Sequence, residues 1–180
     1  MKLCILFPGM GYHCDKPLLY YSSKLAQSKG YEVVTLKFSG FPDNAKNDED
    51  LLRKSADIAF NQSVEQLKDI DFSKYEKIVF IGKSIGTVAM QMYRRKFNVN
   101  AVSVLLTPVE YTFENTDKSC TAFHGTADPI ADTAIITQFC SEQNIQLYKY
   151  ENANHSIETK DVMTNLEYLR DVINKVEKLL

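Results

Sequence analysis

Residues 79–90 read VFIGKSIGTVAM, and the fold hinges on their centre, Gly82-Lys83-Ser84-Ile85-Gly86. A glycine-x-serine-x-glycine pattern fixes only three positions and should arise by chance in about one chain of this size in twenty. Context adds more. The apolar residues Ile78, Val79, Phe80 and Ile81 lead into the turn as a strand would, and Val88 and Met92 follow at helical spacing. Between a strand and a helix, a serine at this position sits at the tip of a tight turn with its hydroxyl exposed. The flanking glycines are required there because larger side chains would collide with the strand and the helix. Two readings compete, a nucleophile or a small residue in a close-packed loop.

Working outward, five further short apolar runs resemble the one before Ser84. They span 3–7, 31–36, 101–106, 120–124 and 145–150, with the central one at 77–81. Most lack polar alternation, which is how strands buried on both faces of a parallel sheet read. Between them lie segments of helical period. The first is expected to be capped by Asp15, with Pro17 in its early turn and Gly30 as its stop. The second, 48–67, opens on three acids and has Leu52, Ala56, Ala59, Ser63 and Leu67 as its inner face. Helices are further expected over 85–97 and 129–143. The last, 157–179, should bury Val162, Leu166, Leu169, Ile173 and Val176. Six strands alternating with five helical segments predict an α/β, doubly wound, three-layer sandwich. No repeat or linker divides it, so residues 1–180 are expected to form one domain.

Composition narrows the function classes. Of the 180 residues 44% are hydrophobic and 24% charged, with a formal net charge of −2, which gives no electrostatic reason to expect nucleic acid or an anionic membrane as partner. The densest basic run, Arg94-Arg95-Lys96, falls where a helix would end and is favoured there by the helix dipole. Cys4, Cys14, Cys120 and Cys140 have no C-x-x-C spacing, so no zinc site is expected. No apolar stretch approaches the ~18 residues of a membrane span, and the N-terminal apolar run is short for a signal peptide. Reduced thiols in a cytoplasm, in a monomer or small homo-oligomer, fit these features.

In a sheet of this kind ligands bind beyond the carboxyl ends of the strands. The ends carry Pro8-Gly9-Met10-Gly11-Tyr12-His13, the Ser84 turn, His124-Gly125-Thr126-Ala127-Asp128 and Glu151-Asn152-Ala153-Asn154-His155. A serine hydroxyl needs a base to take its proton, and the base needs an acid to hold its ring. Ser84, Asp128 and His155 supply these in the chain order Ser…Asp…His that a strand-turn-helix nucleophile requires. Two backbone donors for a developing oxyanion are expected from Ile85, at the start of the following helix, and from Met10. The competing acid is Asp132, expected inside the next helix and facing solvent; Asp128 itself could serve as that helix's cap. His124 reads as a structural histidine at a strand end. Lys83 reads as a solvated or pocket-rim side chain, and Asn152 and Asn154 as satisfying turn backbone.

With the PGMGY loop, G-K-S-I-G, H-G-T-A-D and N-x-N-H in hand, the sequence resembles the α/β-hydrolase superfamily over essentially its whole length. It is similar in outline to small, lidless dienelactone-hydrolase-like and carboxylesterase-like members. That resemblance implies Ser84 as nucleophile, Asp128 as acid, His155 as base, and Met10 and Ile85 as oxyanion donors. The leading antiparallel strands usual in the superfamily are missing, so six parallel strands in the order 2-1-3-4-5-6 are expected. Only residues 107–119 stand where relatives insert a cap, so the expected form is a minimal core without a cap domain and with an open site. Tyr12, His13, Tyr111 and Phe113 are candidates to line the substrate pocket, His13 without an evident acid partner. The activity implied is hydrolysis of a small carboxylic ester or thioester, a small-molecule acyl substrate, without metal or organic cofactor. The alternative is a non-catalytic binding protein on the same scaffold. A phosphate-cradling reading of the 82–86 loop is weakened by the lack of G-x-G-x-x-G and G-x-x-x-x-G-K-[ST].

Overall fold

The apolar runs form the strands β1 (Lys2–Phe7), β2 (Tyr31–Thr35), β3 (Lys77–Lys83), β4 (Val102–Leu106), β5 (Cys120–Gly125) and β6 (Gln146–Tyr150). In the computed structural model, which describes residues 1–43 and 48–180, they make one sheet in the order β2-β1-β3-β4-β5-β6. Every pairing in it is parallel. Alternate side chains of each strand feed opposite faces. Leu3, Ile5, Phe7 and Phe80 pack with Ala59, Leu67, Met90 and Ile136 on one face, whereas Cys4, Leu6, Val79 and Ile81 pack with Leu18, Leu19, Val172 and Val176 on the other. The sheet is thus sandwiched between α2 (Glu49–Leu67), α3 (Ile85–Lys96) and α4 (Thr133–Glu142) on one side and α1 (Pro17–Ser28) and α5 (Val162–Leu179) on the other. Both layers are needed because strands apolar on two faces would otherwise expose roughly 1.5–3 kcal/mol per large side chain.

Helix starts differ from the sequence expectation in three places, each for a local reason. Lys16, not Asp15, occupies the N-cap of α1, and the second amide of the helix, Leu18 N–H, donates to the Tyr12 hydroxyl at 3.1 Å instead. The α4 helix begins at Thr133, where Asp132 accepts from the amides of Ala134 (2.7 Å) and Ile135 (3.1 Å). Asp132 therefore caps the helix rather than sitting within it, and residues 129–131 belong to the loop. The last helix starts at Val162 behind the N-cap Asp161, whose carboxylate accepts from Thr164 N–H at 2.7 Å. Asp48 does cap α2, accepting from Leu51 N–H at 2.9 Å.

The inner face expected for α5 is also corrected. Val172 and Val176 are buried, but Val162 and Leu166 are 68% and 54% exposed. Their helical spacing continues onto a face that nothing among the described residues covers. The stretch 107–119 holds a 3-10 turn, Glu110–Asn115, that packs downward. Its Phe113 is buried and stacks on Phe139 at 5.2 Å between ring centroids, and its Thr112 hydroxyl meets that of Thr87 at 2.6 Å. This segment closes the fold beside α3 and does not arch over Ser84. Among the described residues no helix is long and apolar enough to cross a membrane.

Candidate active site

Ser84 lies between β3 and α3 with φ 53° and ψ −124°, backbone angles that an L-residue adopts only at a cost of order 1–3 kcal/mol. Neighbouring groups hold it there. Its amide donates to Leu106 O at 3.0 Å, and its carbonyl accepts from the amide (2.8 Å) and hydroxyl (2.6 Å) of Thr87. Gly86 shows why the second glycine of the motif is needed. A Cβ at that position would fall 2.8 Å from the carbonyl carbon of Phe7, at the end of β1, and nearer still to the carbonyl oxygens of Phe7 and Pro8. The first turn of α3 therefore lies flush against the loop that carries Met10.

That loop is a tight turn. Gly9 and Tyr12 exchange backbone hydrogen bonds of 2.9 and 3.2 Å, leaving Met10 and Gly11 at its tip. Ile85 is the first residue of α3, so its N–H has no intrahelical acceptor. These are the two amides expected from the sequence to flank an oxyanion.

His155 Nε2 lies 2.7 Å from Ser84 Oγ, and His155 Nδ1 lies 2.7 Å from Asp128 Oδ2. The Asp128 side chain is fully buried and that of His155 is 16% exposed. Burial, the largest influence on the Asp128 carboxyl, pushes its pKa up. The hydrogen bond and charge of His155 and the N–H of Ile130 outweigh it, so the net direction is down. An ionised Asp128 accepts the Nδ1 proton, which leaves the Nε2 lone pair facing the Ser84 hydroxyl. The other carboxylate oxygen, Oδ1, accepts from Ile130 N–H at 2.8 Å. Asp128 thus organises the loop before α4 and orients His155 at once.

The His155 loop is clamped onto β5. Ala127 N–H donates to Ala153 O at 2.9 Å, and Asn154 Oδ1 accepts from the amides of Ser156 (2.7 Å) and Glu158 (3.2 Å). Asn154 serves the turn backbone as expected; Asn152 sits at φ 55° in the same turn. Beneath the site His124 is fully buried, with Nε2 3.0 Å from Thr133 Oγ1 and Nδ1 3.9 Å from Asp128 Oδ2. Burial lowers its pKa, with the Asp128 charge opposing, so folding favours its neutral form.

A cleft of about 330 Å³ opens at Ser84. Tyr12 lines it as expected, and burial pushes its phenol up to about 12, so the ring presents a neutral hydroxyl. The other three pocket candidates are displaced. Phe113 is buried in the core against Phe139. Tyr111 packs behind the cleft under the guanidinium of Arg53, 4.0 Å from its ring centroid. His13 lines a separate depression and does have an acid partner, Asp15, at 3.4 Å. Of the two places expected for Lys83, solvent or the pocket rim, it takes the second: it lines the cleft and is 1% exposed, with Nζ 5.0 Å from the centroid of the Tyr12 ring. The apolar walls that sequence reasoning missed are Leu52, from α2, and Ile130. Leu52 looked like a core residue of its helix. Ile130 looked helical because Asp128-Pro129 resembles a helix start; the second aspartate, Asp132, was the available signal that the helix begins later.

A parallel sheet in this order, with a strained serine turn after β3 and no cap, is the lidless form of the α/β-hydrolase fold. Solved structures bear this out. Est1E from Butyrivibrio proteoclasticus, with ferulic acid bound, superposes with a TM-score of 0.70 at 14% identity, over 99% of this chain and 87% of that one. The Pyrococcus furiosus esterase Pf2001 gives 0.71 at 15% identity, over 99% and 82%. XC6422 from Xanthomonas campestris, a serine hydrolase without a lid, gives 0.61 at 15% identity, over 98% and 79%. Neither family models nor curated protein sequences gave a match.

Proposed function

We propose that this chain is a serine hydrolase that cleaves a small carboxylic ester or thioester through an acyl-enzyme. The observation that carries the reading is the unbroken pair of 2.7 Å contacts from Ser84 through His155 to a buried Asp128. One structural neighbour, the Pyrococcus furiosus Pf2001, is an esterase, and another, Est1E, has a carboxylic acid, ferulic acid, bound; both support the ester class. Ser84 Oγ attacks the carbonyl carbon while its proton passes to His155 Nε2. The tetrahedral oxyanion is met by the N–H groups of Met10 and Ile85, an electrostatic contribution of about 3–4 kcal/mol per donor in comparable sites. Collapse expels the alcohol or thiol, which takes the proton from Nε2. Water, deprotonated by the same nitrogen, then attacks the acyl-Ser84 ester and releases the acid. Asp128 stays ionised throughout and stabilises the imidazolium. No step needs a metal or organic cofactor. The four free thiols support a reducing, cytoplasmic setting.

A fluorophosphonate probe tests the reading, because it labels an activated serine irrespective of the natural substrate. The wild-type chain is expected to be labelled and Ser84→Ala not. Equal labelling of both, or of neither, would refute the proposal; the second result points to a binding protein on the same scaffold.

A further inference from the structure

The Ser84 cleft continues into a second depression. Tyr12, Pro17, Ser156 and Glu158 wall both the cleft and a groove of about 200 Å³ between the start of α1 and the start of α5. Val162, Leu166 and Leu169 form the far wall of that groove. Leu166 and Leu169 then border a third hollow of about 210 Å³, further along α5 beside Tyr21 and Ile173. The three depressions therefore adjoin in series through shared walls, forming a track from Ser84 along the outside of α5. Two of its apolar side chains are ones the fold leaves open: Val162 and Leu166 are 68% and 54% exposed. Apolar side chains clustered on one exposed face mark a binding surface more often than isolated ones do.

The direction of the track identifies what occupies it. The near wall is the chain immediately after His155, namely Ser156, Ile157 and Glu158. In acyl transfer the leaving oxygen or sulfur must lie within hydrogen-bond reach of the imidazole nitrogen that protonates it. The group attached to that atom therefore departs on the His155 side. The opposite arm of the cleft, bounded by Met10, Leu52, Ile85 and Ile130, lies beside the oxyanion amides and faces the acyl half. Resting on the serine-hydrolase reading above, we infer that the groove between α1 and α5 binds the alkyl chain of an aliphatic alcohol or thiol leaving group. The substrate class is an ester or thioester with a short acyl half and a longer, apolar alcohol or thiol half.

Length follows from helix geometry. Val162 to Leu169 spans about 10 Å at ~1.5 Å per residue. An extended alkyl chain advancing ~1.3 Å per bond, from C–C bonds of ~1.5 Å, covers that distance in about eight carbons. Complete burial of a methylene corresponds to about fourfold in affinity; a groove open along one side should give about twofold.

Two ester series of equal span test the inference on the full chain, with fluorophosphonate labelling of Ser84 measured on the same preparation. With the acetyl half fixed, kcat/KM is expected to rise about twofold per methylene of the alcohol and to level off near eight carbons. With ethanol fixed, lengthening the acyl half should give no such rise. Leu166→Asp and, independently, Val162→Asp should flatten the alcohol series, with thermal melting confirming that both variants fold. A flat alcohol series from a protein that labels normally overturns the groove and leaves the hydrolase reading standing. So does a slope that survives both substitutions, or one that follows the acyl half. Concentration-dependent dimerisation that both substitutions abolish, without a change in slope, would assign the face to a second copy of the chain instead. Failure to label removes both readings together.

Discussion

Replacing Gly125 by alanine inserts one methyl group between the end of β5 and the loop that carries His155. A Cβ built there falls 2.5 Å from the Asn154 carbonyl oxygen and 2.7 Å from the Ala153 carbonyl carbon, where ordinary contact begins at 3.4 Å. Backbone, not a flexible side chain, has to move, and by about 1 Å. Asn154 is the residue before His155, so the imidazole moves with it. Both of its 2.7 Å contacts would then stretch towards 3.7 Å, beyond hydrogen bonding. A misplacement of this size costs on the order of 10²-fold in rate. The accompanying overpacking costs about 1–3 kcal/mol, less than the 5–15 kcal/mol that keeps a domain folded. The assay is the second-order rate of fluorophosphonate labelling beside a thermal melt. The expected result is a folded Gly125→Ala protein that labels about 100-fold more slowly. Gly30→Ala is the control, since Gly30 has φ +77° but nothing within 4 Å of a new Cβ. It should lose comparable stability through backbone strain and keep its labelling rate. A wild-type rate for Gly125→Ala would refute the argument that this contact sets the position of His155; so would equal rate losses in the two variants.

The two aspartates of the β5–α4 loop should separate cleanly. Asp128→Asn presents the wrong hydrogen-bonding pattern to His155 Nδ1 and is expected to lower the labelling rate by on the order of 10⁴ while the chain stays folded. Asp132→Ala removes only the α4 cap, costing about 1 kcal/mol in denaturant unfolding with the labelling rate little changed; the reverse pattern would exchange their roles. Acid stability should track His124, which faces Asp128, His155, Asp132 and Lys149. Its folded pKa lies below the ordinary 6.5, so the unfolded chain binds the extra proton. That contribution is complete above pH 6.5 and declines as pH falls from there towards the folded value. The depressed Asp128 carboxyl adds a second loss, below its ordinary 3.8, as pH falls through its folded value. Melting temperatures should thus begin to drop below about pH 6.5, and His124→Asn should shrink that first limb. An unchanged pH profile in the variant would remove His124 from the account.

The sheet and the serine-histidine-aspartate constellation were legible because both rest on short-range signals. Runs such as 3–7 and 77–81 are short and almost wholly apolar, as strands buried on two faces are, and the residues at their ends fell where a parallel sheet must place them. The misreadings share a different cause: they depend on what lies across space from a residue. The α1 cap went to Asp15 because no sequence rule points to a tyrosine hydroxyl five residues before the helix. Tyr12 acts there because the Gly9–Tyr12 turn swings its ring back towards Leu18. Val162 and Leu166 keep a helical period that looks like a core face, yet the period says nothing about whether another element packs across from them. Lys83 lines the cleft yet is buried, with the Tyr12 ring lying against its ammonium, a neighbour that the sequence around β3 does not reveal.

The two glycine contacts explain why so degenerate a motif can be trusted once its fold is known. Gly86 presses the start of α3 onto the end of β1, and Gly125 presses the end of β5 onto the His155 loop. Each contact is backbone against backbone, with no side chain that could adjust. The first fixes the Ile85 amide relative to the Met10 turn; the second fixes His155 relative to Asp128. Ser84 stands between them at φ 53°, its amide tied to Leu106 and its carbonyl to Thr87. A chain that needed this loop only for packing could relieve the strain by placing glycine at position 84. Retaining serine there carries a backbone cost of order 1–3 kcal/mol, and the 2.7 Å contact to His155 gives that cost a purpose.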